Sequence, residues 1–265
     1  MIISLPSFRT ILGTALLLFV ASLASVRAQM NEGETVADAA VPENKAMTVI
    51  TDVPGLPRVL LIGDSISIAY TVPVRTLLAG KANVHRIPVN GGNSKAGRTA
   101  LTRWLGTGKW DVVHVNFGLH DAKLVGSTGL PAVSREAYVD NLKVIAQQIQ
   151  ATGAKVVFAT TTPVPVSLRA TKITAGALPP KTRLFDDIPE RNELAVSALK
   201  EIGVRINDLY EVILPEQEKL QNKNDVHFSA VGSKVLAQAV ADSILQSLPA
   251  QPAATPAAAS QPAAK

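Results

Sequence analysis

Short runs rich in Val and Ile alternate along this chain with segments of helical spacing, and that alternation decides most of what it can fold into. The strand-like runs are Arg58 to Ile62, Val84 to Val89, Val112 to Phe117, Lys155 to Thr160 and a brief Val204 to Ile206. Helical patterns lie between and after them, at Val74 to Leu78, Arg98 to Leu105, Arg135 to Ala151, Glu190 to Ile202 and Ala230 to Leu248. In the third of these Tyr138, Leu142, Ile145 and Ile149 share one face, and Gly153 is placed to stop the helix. Asp187 and Pro189 open the fourth, since proline in a first turn forfeits no needed hydrogen bond. Strands that alternate with helices need crossover connections. They predict an α/β chain folded as a three-layer α/β/α sandwich on a central, mainly parallel five-stranded sheet. Ligands of such sheets bind beyond the carboxyl ends of the strands.

The two ends of the chain read differently. Residues 1–28 have the marks of a signal peptide: Arg9 gives a positive start, and Val26-Arg27-Ala28 offers small residues for cleavage. The apolar run between them, Ile11 to Ala24, is shorter than the ~20 residues a membrane span needs. Export follows, secreted or periplasmic, with no stable membrane insertion after cleavage. Residues 29–56, where Glu32, Glu34, Asp38 and Glu43 are scattered among Ala and Val, read as a linker or loosely attached arm. From Pro249 to Lys265 the chain is Ala, Pro, Gln, Ser and Thr up to its last residue, which predicts a disordered tail. One domain, 57–248, remains with length enough for a full core.

Charge and cysteine content exclude several functions. The formal charge is +5, and loss of Arg9 and Arg27 with the leader leaves +3. Cations alternate with acids over much of the chain and only 4% of residues are aromatic, so no nucleic-acid partner is implied. Cysteine is absent, which removes disulfides, thiolate metal sites and a cysteine nucleophile. No histidine stands at ligand spacing from its neighbours, so neither a metal nor another cofactor is expected.

Chemistry is concentrated just past the predicted strand ends. The first strand runs straight into Gly63-Asp64-Ser65-Ile66-Ser67, which sets a hydroxyl at the sheet edge beside backbone N–H groups that face an oxyanion. A serine there also suits a plain helix cap. Near the far end, Asn224-Asp225-Val226-His227-Phe228-Ser229 precedes the last helix. A serine hydroxyl needs a neutral imidazole and a group that fixes its tautomer, and His227 with Asp225 supplies both. Ser229 reads as the N-cap of the final helix. Two glycine-containing loops, Asn90-Gly91-Gly92-Asn93-Ser94 and Gly118-Leu119-His120-Asp121, follow the second and third strands and, taken alone, read as turns, with donors to a developing negative oxygen as the alternative.

The order of these segments resembles the SGNH (GDSL-like) hydrolase family, from Arg58 to about Leu248. The resemblance rests on Gly63-Asp64-Ser65 and on His227 followed by Phe228-Ser229-Ala230-Val231-Gly232. It implies a flavodoxin-like SGNH fold and a serine esterase, with Ser65 as nucleophile and first oxyanion donor, Gly92 as second donor and His227 as base. Gly97 rivals Gly92, because Ala96-Gly97-Arg98-Thr99 is similar to the second block of rhamnogalacturonan acetylesterases. The chain departs from the family twice. His120 stands where Asn is usual, and Asn224 stands where Asp usually lies three residues before the histidine. Either Asp225 orients His227 through a shifted turn, or Asn224 does so as a neutral partner.

The remaining candidates carry less. His114 and His85 read as strand residues, Trp104 and Trp110 as hydrophobic seals, and Asn116 as a candidate site residue. The segment from Thr161 to Ile188, with Pro163, Pro165, Pro179 and Pro180 and the cations Lys172, Lys181 and Arg183, is too long for a simple connection and suits a substrate wall. The expected substrate is a small-molecule or glycan ester, an acetylated carbohydrate foremost. The alternatives are an acyltransferase, or a non-catalytic carbohydrate or envelope-binding protein with a degenerate site.

Overall fold

The computed structural model describes residues 44–248. Five parallel strands, β1 (Arg58–Ile62), β2 (Asn83–Arg86), β3 (Val112–Asn116), β4 (Lys155–Ala159) and β5 (Arg205–Asn207), form one sheet in the order β2-β1-β3-β4-β5. Every neighbouring pair is parallel. Alternation along the strands divides the core in two. Val59, Leu61, Val112 and Val157 face one side, where they meet α1 (Ser65–Leu77), α6 (Leu209–Ile213) and α8 (Ala230–Leu245). Leu60, Ile62, Val113, Val115 and Phe158 face the other, against α2 (Ser94–Leu105), α4 (Arg135–Gln150) and α5 (Ile188–Lys200). Strands covered on both faces are mostly apolar, which is why β1 and β4 read as near-continuous apolar runs. Four short turns complete the order: α3 (Leu119–Ala122), a 3-10 turn at Val166–Leu168, a second 3-10 turn at Leu214–Glu216, and α7 (Gln217–Leu220), which follows it.

Several boundaries move. The first helix, expected only over Val74 to Leu78, begins at Ser65 and carries Pro73 inside it. Its buried face of Ile66, Tyr70 and Val74 outweighs the hydrogen bond that proline withholds. The second starts at Ser94 instead of Arg98, because the Asn93 side chain accepts from Ala96 N and caps it. The segments expected to run on to Val89, Phe117 and Thr160 leave the sheet at Arg86, Asn116 and Ala159.

Residues 44–56, the described part of the expected loose arm, are fastened to the domain. Asn83 accepts from Val53 N at 2.8 Å and donates to Val53 O at 3.0 Å, and Arg75 donates to Lys45 O at 2.8 Å. Asp52 pairs with Arg58 at 2.8 Å and with His85 at 2.5 Å. Residues 1–43 and 249–265, with the expected leader, the rest of the arm and the tail, lie outside the described residues. Among those described, no helix is long and apolar enough to cross a membrane, and no group of His, Asp and Glu is placed to hold a metal ion.

Where the long 161–188 segment meets α5, Asp186 accepts from Arg135 Nη2 at 2.7 Å and from Arg191 Nε at 2.9 Å, and Arg191 Nη2 reaches Val133 O at 2.8 Å. Arg191 is wholly buried, so its charge depends on this carboxylate. Burial works against ionised Asp186, but the hydrogen bond from Arg135 and the two guanidinium charges prevail and hold its carboxyl below the ordinary 3.8. Asp186→Asn leaves Arg191 uncompensated and costs about 3 kcal/mol or more in urea unfolding at neutral pH. Because the folded value is depressed, the advantage of the wild type is full above the ordinary 3.8 and closes only as pH falls below it.

Candidate active site

The residues that carry chemistry gather at the carboxyl edge of the sheet. β1 ends at Ile62, Gly63 turns the chain, and the Asp64 carboxylate accepts from Ile66 N at 2.9 Å to cap α1. Ser65 is therefore the first residue of a helix, half-buried, with an N–H that takes no partner among the described residues. Its Oγ lies 2.9 Å from His227 Nε2. The other ring nitrogen, Nδ1, lies 3.0 Å from Asp225 Oδ1 and 3.1 Å from Oδ2. Serine, imidazole and carboxylate thus form one hydrogen-bonded relay.

Backbone geometry explains why the carboxylate comes from two residues before the histidine. The 221–229 loop is closed by Asn222 N to His227 O at 2.9 Å and Ser229 N to Leu220 O at 2.9 Å. Within it Asn224 takes φ +54°, a left-handed turn position that asparagine tolerates better than most residues. That twist carries its side chain away from the imidazole, and Asn224 Oδ1 accepts from Ser167 Oγ at 2.8 Å. Asn224 is therefore no partner of His227. Arg183 lies 3.4 Å from Asp225 Oδ1, so the long segment braces the histidine loop at two neighbouring residues. Ser229 caps α8 by accepting from Gly232 N at 3.1 Å.

The two glycine loops are placed unequally. Gly91 N donates to Gly63 O at 2.9 Å, so the second loop abuts the serine turn. Gly92 has φ +63°, and its N–H donates to Asn90 Oδ1 at 3.0 Å. Gly97 is not a rival donor: its N–H is held in α2 by Asn93 O at 3.0 Å. A Cβ there would meet the Phe117 ring at 2.2 Å, so the glycine serves packing. His120, on the single turn α3, sits 3.8 Å from Asp64 Oδ2 and is partly exposed. Burial raises the Asp64 carboxyl above its ordinary range, and the nearby imidazole of His120 opposes that. The turn before α3 needs Gly118, whose φ is +138° and whose Cβ would fall 1.9 Å from Thr161 Oγ1. Beneath it Asp121 accepts from Ser94 N at 3.0 Å and ties the third loop to the start of α2.

Other candidates are structural. Asn116 donates to Ala159 O at 3.0 Å and joins the ends of β3 and β4. His114 is fully buried, burial pushes it down to about 3, and Nε2 faces Asn207 Nδ2 at 3.2 Å. A neutral ring that accepts there carries its proton on Nδ1. His85 sits on β2 with Asp52. Trp104 and Trp110 pack against the core, and Trp110 Nε1 donates to Leu105 O at 2.9 Å.

Sequence reasoning missed Arg86. Its guanidinium, 9% exposed, donates from Nη2 to Gly63 O at 2.9 Å, Asp64 O at 3.0 Å and Ser67 Oγ at 2.8 Å. From Nη1 it reaches Ile87 O and Val89 O, each at 2.8 Å. Burial lowers it to about 10, so it remains charged at neutral pH. A cation within the strand-like run Val84 to Val89 was the available signal.

The family model of the GDSL-like Lipase/Acylhydrolase family matches residues 61–235, which include both halves of the relay. This chain belongs to that family. It is an ester-bond hydrolase. Solved structures share its fold: a lipase/acylhydrolase from Enterococcus faecalis is 20% identical with TM-score 0.60, over 75% of this chain and 100% of that one. A GDSL-like lipase from Bacteroides thetaiotaomicron is 16% identical with TM-score 0.56, over 78% and 95%. An acetyl xylan esterase, AlAXEase, is 14% identical with TM-score 0.56, over 71% and 99%. Comparison with curated proteins gives no match.

For a family hydrolase of this construction, Arg86 predicts a separable effect. Lys cannot fan a planar fork over these acceptors. Arg86→Lys lowers kcat by about tenfold or more with KM within about threefold. Fluorophosphonate labelling of the folded fraction slows in parallel. A variant that only melts earlier and labels at the wild-type rate would show that Arg86 supports stability alone.

Proposed function

We propose that this hydrolase is an exported serine esterase that removes short acyl groups, acetyl foremost, from carbohydrate through an acyl-enzyme. The observation that carries the reading is the relay from Ser65 Oγ through His227 to Asp225, at 2.9 and 3.0 Å. Ser65 Oγ bonds to the ester carbonyl carbon while its proton passes to His227 Nε2. Collapse of the tetrahedral species breaks the bond to the alcohol oxygen, which leaves with that proton. Water then attacks the acyl-serine and gives a proton to Nε2. The acid departs, and Ser65 recovers its proton.

Asp225 keeps the Nδ1 proton in place and stabilises the imidazolium. Burial opposes its charge, yet the hydrogen bond and charge of His227 prevail and hold its carboxyl below the usual aspartate range. The oxyanion takes the unpartnered Ser65 N–H, the Gly92 N–H once it exchanges Asn90 for the substrate, and His120 in place of the usual asparagine. Support for the carbohydrate ester comes from the likeness to an acetyl xylan esterase and from the cations Lys172, Lys181 and Arg183 of the 161–188 segment. The leader-like residues 1–28 support export.

Ser65→Ala abolishes p-nitrophenyl acetate turnover and fluorophosphonate labelling while circular dichroism stays unchanged. Retained turnover would remove Ser65 from the mechanism. Asp225→Asn lowers kcat by about 10²- to 10⁴-fold, whereas Asn224→Ala changes it by less than about threefold. The reverse ranking would return the orienting role to Asn224. His120→Ala costs about 10²-fold, and His120→Asn restores most of that loss.

A further inference from the structure

Between Ser65 and Trp110 the chain contains no Asp or Glu, although Lys and Arg recur throughout, so the mixing of charges seen over much of the chain is absent on the side of the sheet next to the nucleophile. Helix α2 carries most of the exposed part of this charge. A trough of about 520 Å³ runs along one flank of α2, with Val89, Ala96 and Ala100 among its apolar lining and the half-buried Trp104 beside Lys95 and Arg103. A second groove, about 650 Å³, follows the other flank and is lined by Lys95 and Arg98. No carboxylate lines either groove. Lys95, Arg98 and Arg103 make no ion pair among the described residues. The trough reaches Gly91, whose N–H bonds to Gly63 O at 2.9 Å, so it opens beside the serine turn.

Unpaired cations on both sides of a helix, an indole with one edge in the core and the other in a trough, and direct continuity with the nucleophile turn fit one ligand chemistry. We propose that the α2 face is a subsite for an anionic glycan, holding carboxylate- or sulfate-bearing sugars that neighbour the acylated residue at Ser65. Trp104 offers an apolar face to a sugar ring, and Lys95 and Arg103 meet the anions on either side. The field of this face raises the local concentration of polyanionic substrate and is screened by salt. Nucleic acid fits less well, since it carries no acyl ester and a lone tryptophan gives no stacking platform. The inference rests on the carbohydrate-ester reading above.

The test uses the full chain with O-acetylated polygalacturonate, O-acetylated glucomannan and p-nitrophenyl acetate. In Lys95→Ser/Arg103→Ser, kcat/KM on the acetylated polyuronate falls about tenfold or more, and raising salt from about 0.02 to about 0.5 M does the same to the wild type. Both changes leave p-nitrophenyl acetate and the neutral glucomannan within about twofold. Inhibition of the wild type by unesterified polygalacturonate or by dextran sulfate tells the carboxylate source from the sulfate source, with neutral dextran as control. Unchanged turnover of the polyuronate, equal losses on the neutral glycan, or equal inhibition by duplex DNA would overturn the subsite. If no ester is cleaved at all, the esterase reading fails instead. Retention of the wild type but not the double variant on immobilised polygalacturonate then still decides the subsite.

Discussion

Arg86 brings a full charge to the end of an edge strand, where main-chain carbonyls must replace the water it has lost. Those carbonyls belong to the segments that need fixing: Gly63 and Asp64 in the serine turn, Ile87 and Val89 at the root of the second loop. Each group is costly to leave unpaired, so the cation and the turns constrain one another. The start of α1, which Asp64 caps, and the Gly91 N–H bond to Gly63 O both lie against that arrangement. A parallel sheet supplies the edge on which it is built, and the two apolar layers keep that edge from shifting.

The histidine reaches the same edge from the far end of the chain. Nothing local in β1 or α1 calls for it. Packing of α8 beside α1 on one face of the sheet brings the 221–229 loop over Ser65, and hydrogen bonds across that loop hold the imidazole at its distance. The 161–188 segment adds Ser167 and Arg183 to the outside of the loop. It acts less as a free wall than as a brace. Its own root is the buried pairing of Asp186 with Arg135 and Arg191.

Much of this is legible in the sequence. Alternating Val/Ile runs and helical spacings point to the sheet and its layers, because strands buried on both faces are mostly apolar. Gly63-Asp64-Ser65 stands out because it ends an apolar segment with chemistry, and His227 because it has an acid close by in a polar loop before the last helix. Less legible was whatever depends on a distant partner. Pro73 hides the length of α1, Gly97 resembles a donor although its N–H is held in α2 and Phe117 packs against it, and Arg86 shows in the sequence only as one cation within the run Val84 to Val89.

Sequence by itself determined the class of fold, the nucleophile turn and the need for a histidine near the carboxyl end, since periodicity and residue chemistry are local properties. Tertiary structure alone decided which of two neighbouring side chains faces the imidazole. Asn224 and Asp225 are adjacent and chemically close, and only the left-handed turn at Asn224, with φ +54°, sends one side chain to Ser167 and leaves the other on Nδ1. It decided the glycines too. Gly97 and Gly92 differ in what their N–H groups and absent side chains meet, and those neighbours come from elsewhere in the chain or from the turn itself. A side chain's identity is written in the sequence, but its partner is set by packing between segments that the sequence keeps apart.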